Sequence, residues 1–263
     1  MKGKAYLVGA GPGRADLISV RGLALLRAAD VVIYDRLIAR ELLDELRPQA
    51  ERIFVGKRGF GPRTVQQEDI NALLVERVGD GLQVVRLKGG DGFVFGRGGE
   101  ECAALAAAGL PFEVVPGISA AVAAPAYAGI PVTHRGQASA FTVVAGFEDP
   151  TKDGSNTDWS AMANAPTLVV LMGVRSAAKI CDALVARGRD PESPAAAIAS
   201  ASTIHQKVAC STVAGLPQAM EADGISAPAV LVFGDVVKLH DQLAWFAPEE
   251  GGRGFVPLGK PED

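Results

Sequence analysis

The sequence feature that most constrains the fold is residues 86–101, RLKGGDGFVFGRGGEE. An apolar run at 82–85 precedes it and predicts a buried strand, and an alanine-rich segment at 100–108 follows it and predicts a helix. The glycines allow the backbone to adopt positive φ and to approach a ligand closely. We expect the interleaved Phe93 and Phe95 to need burial, which argues against a surface turn with solvated charges. Because open α/β sheets bind ligands beyond the carboxyl ends of their strands, we predict that this loop forms the floor of an active site.

Strand and helix patterns alternate along the first half of the chain. Strands are predicted at 4–8, 31–34, 52–55, 82–85 and 112–115, with a helix after most of them. Thr64 and Gln67 are expected to form a capping box for the helix that ends at Val78. Five βα units with short connections predict a mostly parallel, doubly wound sheet.

A second set of strands follows an aperiodic segment at 129–136. These strands are predicted at 141–145, 167–172, 195–199, 207–211 and 229–233, and the short connections among the last ones indicate a mixed sheet. The predicted fold class is therefore α/β, with two αβα domains and the active site in the cleft between them. We expect an N-terminal domain at 1–133, a C-terminal domain at 138–246 and a mobile tail at 247–263.

Composition excludes several classes of function. The net charge of −4 argues against nucleic acid or a membrane as a partner. The chain begins on a strand without the apolar core of a signal peptide, so we expect a cytoplasmic protein. Cys102, Cys181 and Cys210 lack metal-ligand or redox spacing and are predicted to be buried structural thiols. Without an HxxE, HxH or CxxC pattern, a bound metal is not expected.

The segment GAGPG at 9–13 imitates a dinucleotide-binding fingerprint, with Asp35 placed to receive a ribose. However, Arg14 stands where the third glycine would be, and Pro12 removes an amide that a pyrophosphate would use. We therefore do not favour a nicotinamide cofactor.

Charged side chains gather at the predicted loop edges and indicate an anionic ligand. The basic ones are Arg36, Lys57, Arg58, Arg97, His134 and Arg135. The acidic ones are Asp35, Asp91, Glu100 and Glu101. Since the planar guanidinium of arginine binds carboxylates bidentately, a ligand that carries carboxylates is favoured.

A series of motifs occurs in order between Ala5 and about Val237. They are VGAGPG at 8–13, YDRL at 34–37, GKR at 56–58, QEDIN at 67–71, the loop at 86–101, VPGIS at 115–119, GIPVTHR at 129–135 and LMG at 171–173. Together they resemble the S-adenosylmethionine-dependent tetrapyrrole methylase family. The YDRL, GKR and THR segments are similar to those of the branch that acts on uroporphyrinogen.

The resemblance implies methyl transfer from S-adenosylmethionine to C2 and C7 of uroporphyrinogen III, giving precorrin-2 and S-adenosylhomocysteine. The precorrin-2 would enter sirohaem, cobalamin or haem d1 biosynthesis, and a homodimer is implied as well. Asp35 would accept a proton, Lys57 would donate one, and the further catalytic residues Arg97, Glu100 and Arg135 would orient the tetrapyrrole and assist its deprotonation. The implied cofactor-binding residues are Pro12, Gly89, Gly90, Asp91, Val94, Ser119, Ala120, Met172, Ala201 and Ala229. The implied substrate-binding residues are Arg36, Arg58, His134 and Met172. Met172 could equally be a core methionine, and Asp35 could instead cap a helix.

The sequence departs from the family pattern at three places. Gly92 stands where a proline usually follows the aspartate, Phe147 stands where a histidine is frequent, and Ala201-Ser202 replaces Gly-Thr. The number of methyl groups transferred is therefore left open. A methyltransferase that acts on a later corrinoid and a non-catalytic tetrapyrrole-binding protein are the alternatives. Because no dehydrogenase–chelatase segment precedes Ala5, we expect a stand-alone methyltransferase.

Overall fold

The computed structural model describes residues 3–56, 65–147, 150 and 157–247. Contacts divide the chain into two compact units, and the division falls between Ser119 and Ala120. The sequence assigned residues up to 133 to the first domain, whereas the contacts group the helix that begins at Ala120 with the second unit. The boundaries of the functional domains remain a prediction.

The first unit contains a five-stranded sheet in which every pair of neighbours is parallel. Its strands are β1 (Lys4–Gly9), β2 (Val31–Tyr34), β3 (Glu51–Phe54), β4 (Gln83–Lys88) and β5 (Phe112–Val115). Its helices are α1 (Val20–Ala28), α2 (Glu41–Asp44), α3 (Gln67–Gly79) and α4 (Gly98–Ala107). The strand order is β3-β2-β4-β1-β5, so β4 lies at the centre of the sheet.

Apolar side chains on both faces of this sheet are buried. Alternate strand residues such as Val8 and Val32 pack with Leu26 and Leu42 from α1 and α2 on one face. The residues between them pack on the other face with α3 and α4. Helices therefore cover both faces of a parallel sheet, and the predicted doubly wound sheet is confirmed.

The second unit contains a five-stranded mixed sheet in the order β6-β7-β10-β8-β9. Its strands are β6 (Phe141–Ala145), β7 (Thr167–Leu171), β8 (Pro194–Ala199), β9 (Lys207–Thr212) and β10 (Ala229–Phe233). Its helices are α5 (Ala120–Tyr127), α6 (Trp159–Ala163), α7 (Ala177–Ala186), α8 (Leu216–Ala222) and α9 (His240–Leu243). The pair β6–β7 is parallel and the other pairs are antiparallel, which confirms the predicted mixed sheet.

Two local predictions about packing and capping are wrong. The N-cap of α3 is Gln66, whose side chain accepts from the Asp69 amide while the Asp69 carboxylate accepts from the Gln66 amide at 3.0 Å. The expected capping residue Thr64 lies outside the described residues. Cys210 is exposed, unlike Cys102 and Cys181, because β9 is an edge strand of its sheet. Within the described ranges, no helix has the length and apolar character that a membrane span requires.

Candidate active site

The loops after β1 and β4 are joined through their backbones. The Gly11 amide donates to the Gly90 carbonyl at 3.2 Å, and the Gly90 amide donates to the Gly11 carbonyl at 2.7 Å. The Asp91 carboxylate then accepts from the Phe93 amide at 2.8 Å and from the Gly117 amide after β5 at 2.9 Å. Asp91 therefore fixes the glycine-rich turn against the neighbouring strand end, where the sequence predicted a ligand site.

The approach of these segments requires glycine at two positions. A Cβ on Gly9 would lie 2.5 Å from the Gly117 backbone, and a Cβ on Gly117 would lie 2.3 Å from the Gly90 carbonyl oxygen. Neither separation is sterically possible without moving the backbone. The carboxyl edge of β1, β4 and β5 is consequently built from close-packed main chain and small side chains.

A cluster of buried charges lies at the end of β4 and the start of α4. Arg86, Lys88 and Glu101 are 2%, 3% and 0% exposed. Glu101 Oε1 accepts from Arg86 Nε at 3.0 Å, from Lys88 Nζ at 2.9 Å and from Gln67 Nε2 at 3.4 Å. Burial lowers the pKa of Lys88, and Arg86 lowers it further, while Glu101 acts in the opposite direction.

Asp35, the predicted proton acceptor, lies at the end of β2 and binds this cluster. Arg86 Nη2 donates to Asp35 Oδ1 at 2.9 Å and to Oδ2 at 3.0 Å. The Asp35 side chain is 31% exposed, so one side is held by the buried arginine and another reaches the surface.

Arg97 and Glu100, two further predicted residues, form an ion pair at the start of α4. Arg97 Nε and Nη2 lie 2.7 Å and 2.6 Å from the two Glu100 oxygens. Both side chains are about half exposed, at 53% and 51%. The hydrogen bond lowers the pKa of Glu100 and raises that of Arg97, so both groups are charged near neutral pH. The pair presents a guanidinium to solvent at the edge of the glycine-rich loop.

The prediction that the two loop phenylalanines are buried is wrong. Phe93 is 55% exposed and Phe95 is 46% exposed. Phe95 has φ 52°, and this left-handed backbone sets the direction of its side chain. The neighbouring Val94 is also exposed, so three consecutive apolar side chains of the loop reach the surface.

Unusual backbone geometry coincides with the predicted cofactor-binding segments. In the described part of the chain, the non-glycine residues with positive φ are Phe95, Arg97, Met172, Ser200 and Ser202. All of them lie in or beside segments that the sequence assigned to the site. Non-glycine residues in this conformation are strained, and such strain concentrates at functional sites. Met172 is 50% exposed, which excludes the alternative of a core methionine.

The remaining predicted residues of the second unit lie in turns, at a strand end or at the start of α5. His134 and Arg135 are exposed in a turn closed by the hydrogen bond from the His134 amide to the Ala138 carbonyl at 2.9 Å. Ala201 is buried in the turn after β8, and Ala229 is half-buried at the start of β10, which pairs with β8. Ala120 begins α5, is partly buried and packs against the core of this unit.

The remaining predicted site residues of the first unit lie near strand ends or outside the described residues. Arg36 is exposed directly after Asp35, and Pro12 and Ser119 are half-buried at the ends of β1 and β5. Lys57 and Arg58 lie outside the described residues.

The sequence did not predict the buried charge cluster that Arg86, Lys88 and Glu101 form. A signal was present, since Arg86 and Lys88 are two residues apart on one strand and therefore share a face. Two cations on one face of a central strand require buried acids nearby. The described residues contain no group of three or more histidine, cysteine or acidic side chains that could hold a metal ion.

Comparisons with known proteins agree on one family. The sequence profile of the tetrapyrrole (corrin/porphyrin) methylases matches residues 4–217. A siroheme synthase of Chromobacterium violaceum is 50% identical over 250 residues, which are 94% of this chain and 52% of the relative. An S-adenosyl-L-methionine-dependent uroporphyrinogen III methyltransferase of Methanosarcina barkeri is 46% identical, with 92% of this chain and 94% of the relative covered.

Solved structures give the same result. The uroporphyrin-III C-methyl transferase of Thermus thermophilus complexed with S-adenyl homocysteine is similar with a TM-score of 0.76 and 38% identity, covering 90% of this chain and 94% of that one. This chain spans about half the length of the siroheme synthases that it matches.

Proposed function

Because the chain belongs to the tetrapyrrole (corrin/porphyrin) methylase family, we propose that it transfers methyl groups from S-adenosylmethionine to uroporphyrinogen III. The similarity to the Methanosarcina barkeri methyltransferase carries the proposal, because it extends over nearly the full length of both chains. Methylation at C2 and C7 gives precorrin-2, with S-adenosylhomocysteine as the second product. The names of the longer relatives favour siroheme as the end product.

The carboxyl edge of β1, β4 and β5 has a composition that fits S-adenosylmethionine. Segments 9–13, 89–91 and 116–120 contain no lysine, arginine or histidine that would repel a sulfonium, and they contain the Asp91 carboxylate. The glycines in these segments allow a planar nucleoside to approach the main chain closely. When bound, S-adenosylmethionine supplies an electrophilic methyl group. The residues that we propose to hold it are Pro12, Gly89, Gly90, Asp91, Val94, Ser119, Ala120, Met172, Ala201 and Ala229.

The exposed cations fit a substrate that bears many carboxylates. Arg36 and Arg97 follow β2 and β4, and both are exposed. A guanidinium binds a carboxylate through two parallel hydrogen bonds, so these residues orient the macrocycle as well as attract it. Arg97 is held by Glu100, which limits its rotation before substrate arrives. His134 and Arg135 of the second unit are proposed to bind further carboxylates, as is Arg58.

Asp35 is proposed to accept the proton that the pyrrole system loses once the new carbon–carbon bond has formed, and Lys57 is proposed to donate one. Asp35 suits this role because its carboxylate is fixed by Arg86 and still reaches the surface. Orientation of the reacting carbon by surrounding side chains accounts for much of the acceleration in such transfers. We further propose a homodimer located in the cytoplasm.

Anaerobic incubation with uroporphyrinogen III and S-adenosylmethionine tests the proposal, with absorbance and product mass as the measurements. A gain of two methyl groups is the expected result. If only one methyl group is gained, Gly92 and Phe147, which depart from the family pattern, are the first residues to replace, by proline and histidine respectively. No gain, with S-adenosylmethionine still bound in calorimetry, contradicts the proposed substrate and favours a later corrinoid. If S-adenosylmethionine does not bind, the proposal that the protein is a methyltransferase is contradicted.

A further inference from the structure

We propose that Arg86 is a positioning residue for the reaction, because its buried guanidinium fixes the Asp35 carboxylate from beneath the site. This inference rests on the proposed function, in which Asp35 accepts a proton. It gives a functional reason for burying a charged side chain at the centre of a sheet, where burial of a charge is unfavourable.

The Arg86 side chain is held at every nitrogen. Nε donates to Glu101 Oε1 at 3.0 Å, and Nη1 lies 3.3 Å from the carbonyl oxygens of Ile33 and Leu87. Nη2 donates to both oxygens of Asp35. A planar guanidinium fixed at Nε and Nη1 cannot rotate, so the direction in which Nη2 presents its protons is fixed too. The position of the Asp35 carboxylate follows from that direction.

Burial makes a purely structural role costly. Arg86 is 2% exposed on the central strand, where its neighbours Val84, Val85 and Leu87 are fully buried apolar residues. Replacing a buried charge network by apolar residues of similar volume is frequently neutral or stabilising, so packing alone does not explain an arginine here.

Charge balance links the cluster to Asp35. Glu101 Oε1 accepts from both Arg86 and Lys88, so one carboxylate faces two cations in the interior. Asp35 supplies the second carboxylate, and it is the member of the cluster that reaches the surface. The buried part of the cluster therefore ends in a carboxylate that is held by Arg86 and faces the surface.

The first test is Arg86→Lys, which keeps the positive charge and removes the fork. Turnover of uroporphyrinogen III, its KM, S-adenosylmethionine affinity by calorimetry and Tm would be measured together. We expect kcat to fall roughly 100-fold, the scale at which small misplacements of a reacting group act. KM and cofactor affinity should change little, because Arg86 contacts neither ligand in this proposal.

Arg189→Lys is the matched control. Arg189 is a second buried arginine, and its Nη1 donates to the carbonyl oxygens of Ala163 and Ala165, neither of which is a proposed site residue. This control should lower Tm without lowering kcat. An Arg86→Lys enzyme whose kcat falls no further than that of Arg189→Lys would overturn the inference, as would a change confined to KM.

A second measurement does not depend on turnover or on the stability of the Arg86 variant. In protein with ¹⁵N-labelled arginine, Asp35→Asn should shift the Arg86 side-chain resonances and speed their exchange with water, while the Arg189 resonances stay unchanged. Unaltered Arg86 resonances would refute the coupling. Failure of the proposed function appears instead as an inactive wild-type enzyme, so the two failures are distinguishable.

Discussion

The Lys88 ammonium lies 2.9 Å from Glu101 Oε1, and both side chains are buried beneath the glycine-rich loop. The adjacent Glu100 is half exposed and binds only Arg97 within the described residues. Two neighbouring glutamates at the start of α4 thus serve different purposes. Glu101 neutralises the interior, and Glu100 holds a surface guanidinium.

Glu101→Gln should therefore be strongly destabilising, while Glu100→Gln should not. Removing the Glu101 charge leaves Arg86 and Lys88 buried with Asp35 as their remaining carboxylate, and breaking a buried pair in this way costs about 3 kcal/mol. Urea unfolding of the two variants measures the difference. Equal unfolding free energies would contradict the buried-cluster description.

Gly98→Ala and Gly99→Ala form a second matched pair. A Cβ on Gly98 would lie 2.6 Å from the Gly92 carbonyl oxygen, whereas nothing lies within 4 Å of a Cβ on Gly99. We expect Gly98→Ala to destabilise the protein by about 1–3 kcal/mol through displacement of the turn. Gly99→Ala should stabilise it by about 0.4–1 kcal/mol, because alanine restricts the unfolded chain.

Thermal unfolding of these two variants, with turnover measured alongside, distinguishes steric crowding at Gly98 from the effect of alanine on the unfolded chain. Since Gly92 follows Asp91, Gly98→Ala should also impair cofactor binding. If both variants shifted Tm in the same direction, the close approach of Gly98 to Gly92 would not be a constraint on the fold.

The course of the chain could be predicted to within a few residues, because apolar runs and glycine-rich turns mark local structure. The residue at which β4 ends could not be predicted in this way. The predicted strand stopped at Val85 because charged residues follow it, yet the strand continues to Lys88. Those charges tolerate burial because Glu101 and Asp35 bind them, and both acids are distant in sequence from the strand. A single sequence does not reveal which distant acids will meet which cations.

The candidate site was predicted unevenly for the same reason. Arg97 and Glu100 are three residues apart on the glycine-rich loop and the start of α4, so both could be assigned to one site from their sequence positions. Asp35 could be placed at a strand end from the alternation of strands and helices. The exposure of Phe93 was mispredicted because hydrophobicity favours burial, whereas this side chain is 55% exposed on the glycine-rich loop.

The pH dependence of stability should include a contribution from Glu113 on β5. Hydrogen bonds from Arg21 and Lys4 lower the pKa of this carboxylate to about 2. Because the unfolded pKa is about 4.3, the contribution is fully present above that pH and is lost as the pH falls towards 2. Glu113→Gln should thus lower the free energy of unfolding by less than about 1 kcal/mol at pH 7, since the pair is partly exposed.

Denaturant unfolding of wild type and Glu113→Gln between pH 7 and pH 2 measures this contribution. The difference in unfolding free energy between the two proteins should shrink as the pH falls below the pKa of the Glu113 carboxyl in the unfolded chain. A difference that stayed constant down to pH 2 would show that the hydrogen bonds do not depend on the carboxylate charge.

Arg97→Ala should abolish most turnover and leave the fold intact, because Arg97 is exposed and is proposed to orient the substrate. We expect a fall of roughly 100-fold in kcat/KM, with S-adenosylmethionine affinity retained. Arg21→Ala is the control, since Arg21 is similarly exposed and donates two hydrogen bonds to Glu113 as Arg97 does to Glu100. Circular dichroism and Tm should be nearly unchanged in both variants. If Arg97→Ala kept the rate of Arg21→Ala, an ion pair at the helix start would be a structural feature only, and the substrate carboxylates would have to be bound by other cations.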